Sequence, residues 1–254
     1  METGAKFINL PGCVDWTKVR LAMFDLDDTL FEYRLATMNG IIEMKSEIEE
    51  ANSIDPIVFD LLLGYQLSEF LPRILTGEIP GEKERNMRIR MVLSKLGITK
   101  SDADIKRYEN AFERGFWKHR KMIEGASELI NYLEENGIEI ALISNGNPDI
   151  QKRTLEDQGL GHLMGSLLLP ESPEELKPSP LMFRKALARY GIDKDQTVMI
   201  GDNWMHDVLG SLNAGIIPVW INRNGIKFRN YMGVQEFENI KGLLNFIRGE
   251  MNEA

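Results

Sequence analysis

The feature of this sequence that most constrains its fold is a short apolar run that ends at a cluster of carboxylates. Leu21 to Phe24 are all apolar, and Asp25, Asp27 and Asp28 follow within four residues. A short continuous apolar run is typical of a strand that is buried on both faces of a parallel sheet. The carboxylates would then lie at the C-terminal end of that strand, where ligand sites of such sheets are found.

The segment from about residue 123 to the end of the sequence alternates between predicted strands and predicted helices. Strands that alternate with helices form βαβ units and a parallel sheet, so the predicted fold class is α/β. The predicted strands of this segment are Glu139 to Ile143, a weaker one near residues 165–169, Thr197 to Ile200 and Pro218 to Ile221.

Residues 37–122, by contrast, carry only helical periodicity. Asp55-Pro56 provides an N-cap with a first-turn proline, and Ser101 with Asp104 resembles a capping box. This helical stretch interrupts the α/β pattern directly after its first strand. We therefore expect it to form a separate helical domain, inserted into a core domain that spans residues 1–36 and 123–254.

Polar side chains follow several of the predicted strands and should converge, because the carboxyl ends of parallel strands meet at one edge of a sheet. A concentration of carboxylates requires a cation, and a small set of oxygen ligands suits Mg²⁺. Lys177 and the backbone amides after Ser144 offer positive potential for a phosphate dianion. The converging residues are Asp25, Asp27 and Thr29 after the first strand, Ser144 and Asn145 after the second, and Asp202 and Asp207 after a later one.

Composition and charge argue against several other classes of protein. The formal net charge of −9 and the pI near 5.0 disfavour nucleic-acid and anionic-membrane partners. No apolar run approaches the roughly 20 residues that cross a bilayer, and the N-terminus lacks the layout of a signal peptide. Cys13 is the one cysteine, which excludes an intrachain disulfide and a cysteine-rich zinc site. These features together predict a cytoplasmic protein.

Four motifs resemble those of the haloacid dehalogenase-like hydrolase superfamily, and they occur in the same order along the chain. The resemblance covers roughly residues 18–36 and 123–250 and implies a Rossmann-like core. The helical insertion is similar to the α-helical cap of the first type in that superfamily. The motifs are Phe24-Asp25-Leu26-Asp27-Asp28-Thr29-Leu30, Ser144-Asn145-Gly146, Lys177-Pro178 and Gly201-Asp202-Asn203-Trp204-Met205-His206-Asp207.

The resemblance also implies a role for each polar residue. Asp25 would be the nucleophile that forms an aspartyl-phosphate, and Asp27 would protonate the leaving oxygen and then activate water. Ser144 and Lys177 would bind the transferring phosphoryl group with Asn145 close by, while Thr29 would support the loop of the first motif. The implied Mg²⁺ ligands are the Asp25 carboxylate, the Asp27 backbone carbonyl and Asp202, with Asp207 acting through water or bracing Asp202.

Asp27 narrows the implied reaction. Dehalogenases of the superfamily lack an aspartate at this position because a halide leaves without a proton, so carbon–halogen cleavage is disfavoured here. The expected function is hydrolysis of a small-molecule phosphate monoester, of the nucleotide or sugar phosphate class. A phosphomutase, which keeps both aspartates, and a non-enzymatic phosphate-binding protein on the same fold remain alternatives.

Specificity should reside in the helical insertion, because the core motifs contact only phosphate. The candidates for contacting the leaving group are Tyr33 and Arg34 after the first motif, Trp117 and Arg120 near the return to the core, and Trp204 and His206 within the fourth motif. For most of these a structural role is the competing interpretation.

Overall fold

The computed structural model describes residues 14–227 and 234–252. Both ends of the predicted core domain, at residues 1 and 254, therefore lie outside the described residues, as does Cys13. None of the helices in the described part of the chain is both long enough and apolar enough to span a bilayer.

The described residues form a six-stranded, all-parallel sheet with the strand order β3-β2-β1-β4-β5-β6. This order is that of a Rossmann-like sheet, in which the ligand crevice opens where the order reverses, next to β1. The predicted α/β class is thus confirmed. The strands are β1 (Leu21–Phe24), β2 (Glu139–Ile143), β3 (Leu167–Leu168), β4 (Thr197–Gly201), β5 (Ile217–Ile221) and β6 (Gln235–Phe237).

Two edge strands differ from the sequence prediction. β3 contains two residues rather than the five suggested by its apolar pattern. β6 was missed, because Gln235-Glu236-Phe237 has no apolar alternation and its side chains are exposed or half-buried. An edge strand of this kind depends on the neighbouring strand for its hydrogen bonds and leaves little trace in the sequence.

Helices cover both faces of the sheet, as a fully buried parallel sheet requires. Successive residues of β1 point to opposite faces, so Phe24 packs in the cluster that contains residues of α5 and α9, whereas Met23 packs in the cluster that contains residues of α7. Each fully buried side chain of this size contributes about 1.5–3 kcal/mol of burial free energy. The helices of the core are α5 (Ala126–Glu135), α6 (Pro148–Asp157), α7 (Pro180–Tyr190), α8 (Gly210–Ala214) and α9 (Ile240–Asn252).

The segment between β1 and α5 is helical, and it has its own hydrophobic cluster. We call residues 34–119 the helical unit. Its first and last helices cross closely at Gly40 and Gly115, where a Cβ on Gly115 would collide with the backbone carbonyl of Asn39. The predicted capping box is present, since Ser101 Oγ accepts from Asp104 N at 3.2 Å and donates to Asp104 Oδ2 at 2.7 Å. The unit comprises α1 (Arg34–Ser46), α2 (Pro56–Leu75), α3 (Glu84–Lys95) and α4 (Asp102–His119).

Candidate functional site

The candidate site lies at the carboxyl edge of the sheet, beside the reversal of strand order. Asp25, Ser144 and Asp202 each follow directly on the last residue of β1, β2 and β4. Phe24 is in register with Leu142 and Ile200, so the three strands end at nearly the same level. The parallel arrangement therefore brings residues that are more than 170 positions apart in the chain to one place, as the sequence predicted.

Lys177 is the centre of the buried part of this site. Its Nζ lies 2.6 Å from Asp25 Oδ1, 2.7 Å from Asp207 Oδ1 and 2.9 Å from the carbonyl oxygen of Ile143. A lysine ammonium has three donors, and these contacts use all of them. The side chain of Lys177 is only 2 % exposed, so the ion pairs lie away from water.

The ionisation of this cluster is strongly perturbed. Burial raises the pKa of Asp25 well above its usual value, Lys177 opposes that shift, and the neighbouring carboxylates Asp207 and Asp202 add to it. Burial also works against the charge of Lys177, but Asp207 and Asp25 outweigh it and raise the Lys177 pKa. Burial, followed by repulsion from Asp207 and Asp28, raises the pKa of Asp202 to about 7. One lysine thus neutralises the carboxylates incompletely, which favours a further cation.

The carboxylates have the chemistry and spacing to hold that cation. Asp25, Asp202 and Asp207 each offer an oxygen, and these oxygens lie within 4.8 Å of one another. Ligands that are all carboxylate oxygens suit Mg²⁺, which also keeps bound water and takes substrate phosphate oxygens as ligands. The residues present therefore fit the divalent metal that the motifs imply.

Asp207 is held by contacts on both of its carboxylate oxygens. Oδ1 accepts a hydrogen bond from Lys177 Nζ, and Oδ2 accepts one from the backbone N–H of Asn203 at 3.0 Å. A Cβ on Gly201 would collide with this carboxylate, which explains the glycine at the end of β4. Asp207 lies on a π-helical turn, Trp204–Leu209, which continues directly into α8. π-Helical turns occur frequently at functional sites.

The remaining predicted residues hold the loops of the site in place. The Thr29 hydroxyl accepts from the backbone N–H of Asp202 at 2.9 Å and is fully buried. The Asn145 side chain pairs twice with the backbone of Lys177, both times at 2.9 Å. Ser144 Oγ accepts from the backbone N–H of Gly146 at 2.9 Å. Thr29 and Asn145 therefore position the loops that carry Asp202 and Lys177.

Asp27 has two partners that the sequence did not indicate. Its Oδ2 accepts from Gln151 Nε2 at 2.8 Å, and its Oδ1 pairs with Arg120 Nη2. Gln151 Nε2 also lies 3.3 Å from Ser144 Oγ, and a Cβ on Gly146 would collide with that amide. Gln151 lies on α6, one turn after its N-cap, and its local sequence gave no signal of this contact.

Arg120 is completely buried at the end of α4, where the chain returns from the helical unit to the core. Its guanidinium carbon lies 5.4 Å from the ring centre of Phe31, 5.6 Å from Tyr33 and 5.9 Å from Phe116. Arg120 is one of the sequence candidates for contacting the leaving group, with a structural role as the competing interpretation. The structure instead directs it to Asp27, and this pairing links the position of α4 to that of the Asp27 carboxylate.

The other candidates for leaving-group contacts fall into two sets. Arg34 is 60 % exposed at the mouth of the site, where it pairs with Asp28 Oδ2 at 3.2 Å and Asp202 Oδ2 at 3.3 Å. Tyr33, Arg34 and His206 line the large cavity described below. Trp117 instead packs edge-on against Phe116, and Trp204 packs edge-on against Trp220. The two tryptophans therefore have packing roles.

We expect Arg120→Met to lower the free energy of unfolding by about 3 kcal/mol. This is the low end of the range for breaking a buried ion pair, because Asp27 keeps some access to water. Urea denaturation at constant pH measures the loss. The control is Arg90→Met, which removes an exposed pair with Asp102 and should cost less than about 1 kcal/mol. Equal losses in the two variants would contradict a structural role for the buried pair.

Comparison with known proteins identifies one family and several phosphatases to which this chain is similar. A model of the haloacid dehalogenase-like hydrolase family matches residues 19–215. A phosphoserine phosphatase from Thermus thermophilus is 34% identical over 111 residues, which are 42% of this chain and 45% of the relative. A ribulose-1,5-bisphosphate 5-phosphatase from Halopiger xanaduensis is 26% identical over 198 residues, which are 78% of this chain and 82% of the relative. The chain thus spans less than half the length of the first relative and most of the second.

A solved structure with the same fold is that of the putative hydrolase YfnB from Bacillus subtilis, bound to magnesium. It superposes with a TM-score of 0.67 at 20% identity, covering 91% of this chain and 99% of that one. At this level of identity the likeness shows the fold alone.

Proposed function

The chain belongs to the haloacid dehalogenase-like hydrolase family, and on that premise we propose that it is a Mg²⁺-dependent phosphatase. Its substrate would be a small-molecule phosphate monoester of the nucleotide or sugar phosphate class. The observation that carries this proposal is the buried Asp25–Lys177–Asp207 cluster, with Asp27 two residues after Asp25. Phosphoryl transfer depends mainly on positioning and charge neutralisation, and this cluster supplies both.

In the proposed reaction the Asp25 carboxylate attacks phosphorus and forms an acyl-phosphate bond as the bond to the leaving oxygen breaks. Asp27 donates a proton to that oxygen, so an alcohol is released. Asp27 then accepts a proton from a water molecule, which attacks the phosphorus of the aspartyl-phosphate. Inorganic phosphate leaves and the Asp25 carboxylate is regenerated.

The surrounding residues would bind and orient the phosphoryl group. Lys177 and Ser144 would contact its oxygens. Thr29 and Asn145 would hold the loops that carry Asp202 and Lys177 in position. Asp25, Asp202 and the backbone carbonyl of Asp27 would hold Mg²⁺, with Asp207 acting through water or bracing Asp202. When bound, the cation supplies positive charge that offsets repulsion between the carboxylates and the phosphate dianion.

The helical unit would act as a cap over this site, and it corresponds to the insertion expected at residues 37–122. Its own hydrophobic cluster and its attachment between β1 and α5 support a body that can move as one piece. The acidic charge and the single cysteine in turn support a cytoplasmic location without nucleic-acid or membrane partners.

A phosphate-release screen over nucleoside monophosphates, sugar phosphates and phosphoglycolate tests the proposed function. We expect release with Mg²⁺ and none with EDTA. A phosphomutase would yield an isomer without net phosphate, and a binding protein would release none from any substrate. Full activity after exhaustive chelation would contradict the metal dependence.

Mg²⁺ should also stabilise the fold, because it binds the assembled site and not the unfolded chain. At a free concentration of 100 times the Kd the expected gain is about 2.7 kcal/mol, measured as a rise in Tm. Asp202→Asn should remove most of this rise. The control is Asp195→Asn, which lies just before the opposite end of β4, is 81% exposed and should leave the rise unchanged. An equal rise in the two variants would contradict Asp202 as a ligand.

A further inference from the structure

A cavity of about 690 Å³ connects the candidate phosphate site with the helical unit. Asp25, Asp27 and Lys177 line its floor, and residues of α2, α3 and α4 line its upper part. Pockets for small organic ligands have volumes of about 300–1,000 Å³. The cavity therefore has room for a ring-sized group beyond the phosphate.

The upper part of the cavity is mainly apolar. α2 contributes several aliphatic side chains to its lining, and α4 contributes two aromatic rings. These residues are Leu67, Leu71, Ile74 and Leu75 from α2, with Phe112 and Phe116 from α4. Binding of an apolar group in such a cavity is favourable, because the group displaces water from the apolar side chains that line it.

The cations on the cavity lining are already paired with carboxylates in the described part of the chain. Arg88 forms a double contact with Glu84, at 2.7 Å to each oxygen, and both side chains are buried. Arg85 pairs with Glu113 at 3.0 Å. Lys177 and Arg34 pair with the aspartates described above. A second anionic group on a substrate would have to displace one of these carboxylates, at a cost in desolvation and repulsion.

Arg85 nevertheless has one donor to offer. Its Nε is buried and has no hydrogen-bond partner in the described residues, and its guanidinium lies 5.0 Å from the ring centre of Phe112. Because Glu113 already balances the charge of Arg85, its Nε–H is suited to an uncharged acceptor, such as a carbonyl oxygen or a ring nitrogen, that lies beside the Phe112 ring.

We propose that the cavity selects a leaving alcohol that is uncharged and carries a ring-sized apolar or aromatic body, as a nucleoside or an aryl-substituted alcohol does. This inference rests on the proposed phosphatase function and specifies its substrate class. Phosphate esters whose alcohol carries a carboxylate or a second phosphate are then poor substrates.

Three alkyl phosphates with similar leaving oxygens test the inference: methyl, benzyl and 4-carboxybenzyl phosphate. We expect kcat/KM for benzyl phosphate to exceed that for methyl phosphate by about tenfold or more, the usual effect of burying an apolar group of this size. We expect a similar preference for benzyl over 4-carboxybenzyl phosphate, because the cations that the described residues place on the cavity lining are already paired with carboxylates.

Leu71→Lys places a cation on the cavity lining and should shift the benzyl to 4-carboxybenzyl ratio by about tenfold towards the carboxylate. Ile57→Lys is the matched control, on the same helix, because Ile57 is 57 % exposed and lies off the cavity lining. It should leave the ratio unchanged. The wild-type comparison stands by itself should Leu71→Lys fail to fold.

p-Nitrophenyl phosphate tests the phosphatase function separately from the preference for the leaving alcohol. Turnover of this substrate would show that the phosphatase function is present. If kcat/KM is then equal for the three alkyl phosphates, or highest for 4-carboxybenzyl phosphate, the inference is overturned and the phosphatase function stands. No phosphate release from the four esters, nor from any substrate of the phosphate-release screen, with Mg²⁺ present overturns both.

Discussion

Asp25→Asn should abolish turnover, with a loss of roughly 10⁴-fold or more, while the fold remains intact. The size of the effect follows from its proposed role, because removing a nucleophile leaves only the binding and positioning contributions to the rate. The asparagine oxygen can still accept from Lys177, which keeps its pair with Asp207. Initial rates of phosphate release and the Tm measure the two quantities separately.

Asp28→Asn is the matched control for this experiment. Asp28 Oδ1 accepts the backbone N–H groups of Tyr33 and Arg34, each at 3.0 Å, and an amide oxygen can do the same. Its backbone φ of 63° lies in a region that asparagine tolerates. The loss in Asp28→Asn should therefore be well under about tenfold. Mass spectrometry of wild-type protein quenched during turnover should locate phosphate on Asp25. Near-normal rates in Asp25→Asn would refute the assignment.

Asp27→Asn should have the second-largest effect, and the size of that effect should depend on the leaving group. An alkoxide needs a proton as it leaves, whereas p-nitrophenolate does not, and general acid catalysis contributes about 10²- to 10⁴-fold. We expect a loss of that order for benzyl phosphate and a much smaller loss for p-nitrophenyl phosphate. Rapid-quench measurement of aspartyl-phosphate formation isolates the first step, since the second step also needs Asp27.

The contact between Gln151 and Asp27 supplies a second test of this role. Gln151→Glu would replace the amide donor at Asp27 Oδ2 with a carboxylate, and Gln151→Ala would remove the donor. If Asp27 acts as an acid whose position depends on Gln151, both variants should affect benzyl phosphate more than p-nitrophenyl phosphate. A loss in Asp27→Asn that is the same for the two substrates in the first step would refute the general-acid role.

The pattern of the sequence was sufficient for the four central strands of the sheet, β1, β2, β4 and β5, and for the convergence of the functional residues at their carboxyl ends. β1 and β4 are short apolar runs that end at Asp25 and Gly201-Asp202, and parallel strands of this kind place their carboxyl ends together. The caps at Asp55 and Ser101 likewise determine where α2 and α4 begin. These features are local, since a strand period or a cap involves residues that are close in the chain.

Only the tertiary structure decided which side chains meet Asp27 and what lies above it. Arg120 is 93 residues from Asp27 in the chain, and their pairing depends on how α4 returns to the core. The close crossing at Gly40 and Gly115 sets the position of that helix, and the pairing of Arg85 with Glu113 depends on it too. Local periodicity identifies which face of a helix is buried but not its partner, because packing between elements is determined by the shape and charge of surfaces that are far apart in sequence.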